Sequence, residues 1–188
     1  MLIPGVLIAL ATFPGVVAHE YAHERACQKR DLQIREVCYF QLRSPNGFVR
    51  HEQPSRYDDA FWISLAPFTV NTLLAVAFAV VAGVLLSVTR ATGMGLFAYA
   101  TGPPAWLAFS FAWHAMPSKD DAENVYEHAK REWRTSWFAR FGFLVVAALY
   151  VWHYLSYLWF DALYALLVVG GTIWLSYAAT SDAVGLPV

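Results

Sequence analysis

The chain has 188 residues, of which 58% are hydrophobic and 14% charged, against roughly 25% charged in an average soluble domain. Eight Trp, ten Tyr and thirteen Phe match the aromatic enrichment of membrane–water interfaces, so the composition argues against a soluble globule and for a polytopic membrane protein. A formal net charge of −1 points to no polyanionic partner such as nucleic acid. Cys27 and Cys38 are too few for a disulfide framework and read as free thiols.

In chain order, residues 1–18 form the first apolar segment. A secretory signal would need a positively charged start, which "MLIPGVLIAL" lacks, and Pro14-Gly15 interrupts its apolar core; a retained membrane helix is expected instead. The segment ends in "VVAHEYAHERAC", residues 16–27. The 24–59 loop follows, and within it "REVCYFQLRSPNGFVRHE" (35–52) alternates apolar and polar residues around Ser44-Pro45-Asn46-Gly47. That pattern predicts a β-hairpin, with an irregular amphipathic loop as the alternative. Residues 60–88 and 95–116 are each long enough to span, and Gly102-Pro103-Pro104 is expected to break or kink the second of these. Residues 137–179 are too long for one crossing at 1.5 Å per residue and are expected to form a helical hairpin turning near Asp161. The expected fold is thus an all-α membrane protein. It is a single integral membrane domain over 1–188, with about five transmembrane helices and a small hairpin in the first loop.

Lys and Arg are unevenly distributed. Seven lie in the 24–59 loop and four in the 117–136 loop, whereas the 89–94 connection holds only Arg90 and nothing basic follows Arg140. The positive-inside rule places both basic loops in the cytoplasm and the N-terminus outside. His19–His23 then lie at the cytoplasmic end of the first helix, Cys27 and Cys38 on the reducing side, and His153 and Asp161 toward the opposite face. "PSRYDDA" (54–60) and "PSKDDA" (117–122) share Pro-Ser followed by acids, a pattern suited to the positive N-terminal end of a helix.

The chemistry is concentrated in "HEYAH", residues 19–23. Helical i and i+4 positions share a face, so His19 and His23 can present ring nitrogens to one ion. Glu20 can reach a water polarised by Zn²⁺ and act as general base, then return the proton to a leaving amine. Ionisable residues in an apolar span are functional by default, although a hydrated interfacial helix cap is the plainer alternative. A catalytic zinc takes three protein ligands. His114, Asp120 and Asp121, at the end of the third span, are best placed to supply the third. His51 and His128 are less constrained, and Glu24 lies about 100° around the helix from His23.

Taken together, "HEYAH" (19–23), "APFTVN" (66–71) and "HAMPSKDDA" (114–122) resemble the site-2 protease family of intramembrane zinc metalloproteases. Those proteins carry His-Glu-x-x-His, a Gly-Pro-x-x-x-Asn pattern and an acidic third-ligand segment in that order. The resemblance covers about residues 1–125, implying a catalytic three-span core followed by a C-terminal helical hairpin at about 137–179. It implies Zn²⁺ held by His19, His23 and Asp121, with Asp120 as the alternative third ligand and Glu20 as the catalytic base. Asn71 and His114 are the substrate or oxyanion candidates, and His114 is also an alternative ligand. Ala66 replaces the family's Gly, His114 replaces its common Asn, and Ala122 its Gly.

The implied activity is hydrolysis of peptide bonds in membrane-associated protein or peptide substrates near the cytoplasmic face of a prokaryotic cell membrane, with the lipid bilayer as the other partner. Two rivals stand beside it. One is a zinc-binding, non-proteolytic membrane adaptor; the other is a transporter, for which the matching halves expected of an inverted repeat are not visible in the sequence.

Overall fold

The computed structural model describes residues 5–183. In chain order they form α1 (Gly5–Ala11), α2 (Phe13–Gln28), β1 (Ile34–Cys38), β2 (Phe48–His51), α3 (Tyr57–Thr92), α4 (Gly95–Trp113), α5 (Lys119–Glu132), α6 (Trp137–Ser156) and α7 (Phe160–Ala183). Helix accounts for 76% of the described residues and the strands form one antiparallel pair, Cys38 opposite Phe48 and Ile34 opposite His51. The all-α architecture with a small hairpin is therefore as expected, the strands lying further apart than the Ser44–Gly47 turn alone requires.

α3 is the axis. Asp58 and Asp59 favour its positive N-terminal end, and Gly93, at φ 67°, ends it with an N–H donated to the Thr89 carbonyl. At 36 residues it is about 54 Å long, well beyond a hydrocarbon core of about 30 Å. α4 returns antiparallel beside it, and α7 lies along its second half. There the Tyr164 hydroxyl shares a hydrogen bond with Thr72, Ser176 packs on Gly83, and Ser87 donates to the Tyr177 carbonyl. α6 packs instead along the first half, with Gly142 against the Tyr57 ring.

Several expectations are corrected. α3, α6 and α7 are long and apolar enough to cross a membrane, and α1 with α2 makes a fourth only if that bent pair is one span; α4 is not among them. The first segment is not one straight helix: α1 and α2 meet at 88° at Thr12. Pro14 has no N–H to continue the ladder, and its ring conflicts with the carbonyl one turn earlier. α4, conversely, runs unbroken through Gly102-Pro103-Pro104, and the Thr101 hydroxyl adds a bond to the Phe97 carbonyl just before the prolines. α6 and α7 follow one another across the short 157–159 connection and touch near it. They meet at Trp152, which donates to Asp161 and packs on Phe160 and Tyr164. Because α6 covers only the first half of α3, its C-terminal end stops level with the candidate site, which places His153 and Asp161 beside that site and not on the opposite face.

Candidate metal centre

α2 crosses between α3 and α4 at Gly15. A Cβ there would lie 2.0 Å from the Ser110 carbonyl oxygen, so only glycine permits this approach. Gly15 N–H donates to Ser110 Oγ (2.8 Å), which donates to the Thr12 carbonyl (2.8 Å). Asn71 Nδ2, wholly buried, donates to the carbonyls of Gly15 (3.0 Å) and His114 (2.8 Å). One turn further along α2, the imidazoles of His19 and His23 face each other with Nε2 atoms 3.2 Å apart.

The opposite nitrogen of each ring is tied to a carbonyl that its own helix leaves free. His19 Nδ1 donates to the His114 carbonyl (2.8 Å), an acceptor left over where α4 ends. His23 Nδ1 donates to the Ile63 carbonyl (3.0 Å). Four residues later stands Pro67, wholly buried, which has no N–H to offer Ile63. The prolines and asparagine of "APFTVN" and "HAMPSK" thus act locally. Pro67 frees one orienting carbonyl, while the α4 terminus before Pro117 supplies the other and Asn71 braces it.

Since a carbonyl only accepts, both Nδ1 atoms carry the hydrogen, and in the neutral rings both Nε2 atoms present bare lone pairs. Asp121 brings a third acceptor, its Oδ1 3.4 Å from His23 Nε2. The three ligand atoms lie within 4.8 Å of one another, and no other group of three such residues is found among the described residues. Asp121 is fixed by its other oxygen: Ser118 is the N-cap of α5, and its N–H (2.8 Å) and hydroxyl (2.6 Å) both donate to Oδ2. The same carboxylate completes a capping box and faces the histidines. Burial alone would raise its pKa, but His23, then His19 and the Ser118 bond, outweigh that and hold it near 2. Three acceptors converging on one point need a cation between them, whether a proton or a metal ion.

Around this cluster is a cavity of about 450 Å³. The hairpin tip forms one wall, with Gly47 so close to Glu20 that a Cβ would meet Glu20 Cγ at 2.6 Å. Glu20 is 9% exposed and shares the cavity with the two histidines. Asp120 lines it without joining the three-residue group. His114 contributes its carbonyl, while its ring turns to Thr12 (Nε2 to Oγ1, 2.8 Å). His128 lies apart, buried between the carbonyls of Asn124 and Pro54, and Glu24 accepts from Tyr39 and Gln28. Sequence reasoning missed the Ile63 carbonyl, the Gly15 crossing and the Gly47 contact, and set His153 and Asp161 on the wrong side. Only Pro67, four residues after Ile63, gave a readable signal for the first. No protein-family model, curated protein or solved structure matches the chain.

Proposed function

We propose that the protein is a membrane-embedded zinc metalloprotease of the site-2 protease type, cleaving membrane-associated polypeptide near the cytoplasmic face. The observation that carries this reading is the convergence of His19 Nε2, His23 Nε2 and Asp121 Oδ1 next to Glu20. His19 Nε2 and Asp121 Oδ1 lie 3.2 and 3.4 Å from His23 Nε2 and all three atoms fall within 4.8 Å of one another, a span that one ion with bonds of about 2.0–2.2 Å would draw together. His19, His23 and Asp121 would hold the zinc, which would supply Lewis-acid polarisation of the substrate carbonyl and of the attacking water. Glu20 takes the proton from the attacking water and delivers it to the leaving amine. β2, paired with β1 on one side only, offers its other edge to an extended substrate segment. The positive loops at 24–59 and 117–136 support the orientation with the site toward the cytoplasm.

The test is to purify the protein and its Glu20→Gln variant in lipid and measure metal content and cleavage of membrane-anchored reporters. Both should hold about one zinc per chain, and only the wild type should cut. Full activity in Glu20→Gln sinks the mechanism. A second reading, a zinc-binding adaptor that does not cut, is favoured by one observation: both amide hydrogens of Asn71 are committed to helix carbonyls, so the expected oxyanion donor is occupied.

A further inference from the structure

We infer that His153, on α6 and outside the three motifs, is the residue that donates a hydrogen bond to the scissile carbonyl oxygen as it becomes negative. This inference rests on the proteolytic reading of the same cavity. Five histidines line that cavity, and a neutral imidazole has one N–H to give. In His19 and His23 it is spent on the His114 and Ile63 carbonyls. His51 spends its Nδ1–H on the Glu52 carbonyl (2.7 Å). His114 faces Thr12 Oγ1, whose own hydrogen goes to the Ile8 carbonyl (2.7 Å), so His114 Nε2 must be the donor. Among the described residues no hydrogen bond engages the His153 ring, which packs edge-on against Tyr154 and Tyr157. It is half-buried and held at the cavity by its neighbour Trp152, whose indole N–H is pinned to Asp161 Oδ1 (2.7 Å).

The other polar side chains facing the cavity are also committed. Ser118 donates to Asp121, Ser156 to the Trp152 carbonyl and Asn46 to the Gln41 carbonyl. The Trp113 indole N–H is also uncommitted among the described residues, and Trp113→Phe tests it as the competing donor. In the step, water oxygen bonds to the peptide carbon while the carbonyl π pair moves onto oxygen. Glu20 takes the water proton, and the His153 N–H bonds to the new oxyanion. On collapse the carbonyl re-forms, the C–N bond breaks with its pair on nitrogen, and that nitrogen takes the proton from Glu20. Water and one amide become a carboxylic acid and an amine, and His153 ends as it began.

The zinc-loaded wild type is compared in lipid vesicles with His153→Ala, His153→Gln, His51→Gln and Trp113→Phe. The readouts are metal content, kcat and KM on membrane-anchored reporters, and affinity for N-phosphoryl-leucinamide, a tetrahedral mimic. His153→Ala should keep its zinc and its KM, lose about 100-fold in kcat, and bind the mimic about 100-fold more weakly. His153→Gln, which keeps an N–H donor, should recover part of both losses. His153→Ala within threefold of wild type in kcat and mimic affinity overturns the assignment while leaving the protease reading intact. So does a comparable loss in Trp113→Phe or His51→Gln with none in His153→Ala. A zinc-loaded wild type that cuts no reporter overturns the proteolytic reading and the His153 role with it.

Discussion

Replacing Pro67 by Ala is expected to strengthen the fold and weaken the metal site together. The substitution restores an N–H aimed at the Ile63 carbonyl and removes a proline from a helix interior, a relief of about 3 kcal/mol. Two buried carbons are lost, about 0.8 kcal/mol each, with a further loss for the small cavity they leave. The metal-free protein should therefore end about 1 kcal/mol more stable. At the site, the carbonyl now serves the helix ladder and no longer His23 alone. Losing such an orienting partner weakens metal affinity about 10–100-fold. Reversible unfolding of the metal-free protein in detergent gives the first quantity, and competition with a chromophoric zinc chelator gives the second. Unchanged zinc affinity, or stability and affinity falling together, would refute the claim that Pro67 frees the Ile63 carbonyl for His23.

Gly15→Ala must push α2 and α4 apart by about 1 Å, because a Cβ 2.0 Å from the Ser110 oxygen is not tolerated by ordinary packing. That lengthens bonds of 2.8–3.0 Å around the crossing beyond useful range, for a net loss of roughly 2–4 kcal/mol measurable by thermal unfolding. Gly47→Ala, buried at the hairpin tip against Glu20 and the Tyr39 carbonyl, should cost roughly 1–3 kcal/mol by thermal unfolding and lower turnover, since the new methyl displaces Glu20 or the tip; unchanged kcat would show that the contact is incidental. Asp121 has a folded pKa near 2, below its ordinary 3.8, so on acidification the unfolded chain takes up the proton first. Its contribution of about 2 kcal/mol is complete above about pH 4 and is lost as pH falls through about 2. Asp121→Asn should flatten the pH dependence of unfolding in that window for the metal-free protein, and an unaltered slope would show that Asp121 is not paired with the histidines.

Much of this protein was legible in its sequence because the signals are local. The excess of apolar residues over charge marks helices that cross or line a membrane. The alternation in 35–52 marks a hairpin, and Pro-Ser before two acids marks the start of α5. The i, i+4 spacing of His19 and His23 by itself puts two ring nitrogens on one helix face. What the tertiary structure alone decided depends on contacts between residues far apart in the chain. Asp121 rather than Asp120 reaches the histidines because the Ser118 cap fixes which oxygen turns inward. Asn71 and His114 act as braces because α2 and α4 close on a glycine at position 15. His153 and Asp161 come to the cavity because α6 follows only the first half of α3. Hydropathy records that a segment is apolar but not which half of a 36-residue neighbour it will cover, since that choice rests on side-chain fit such as Gly142 on Tyr57 and Ser176 on Gly83.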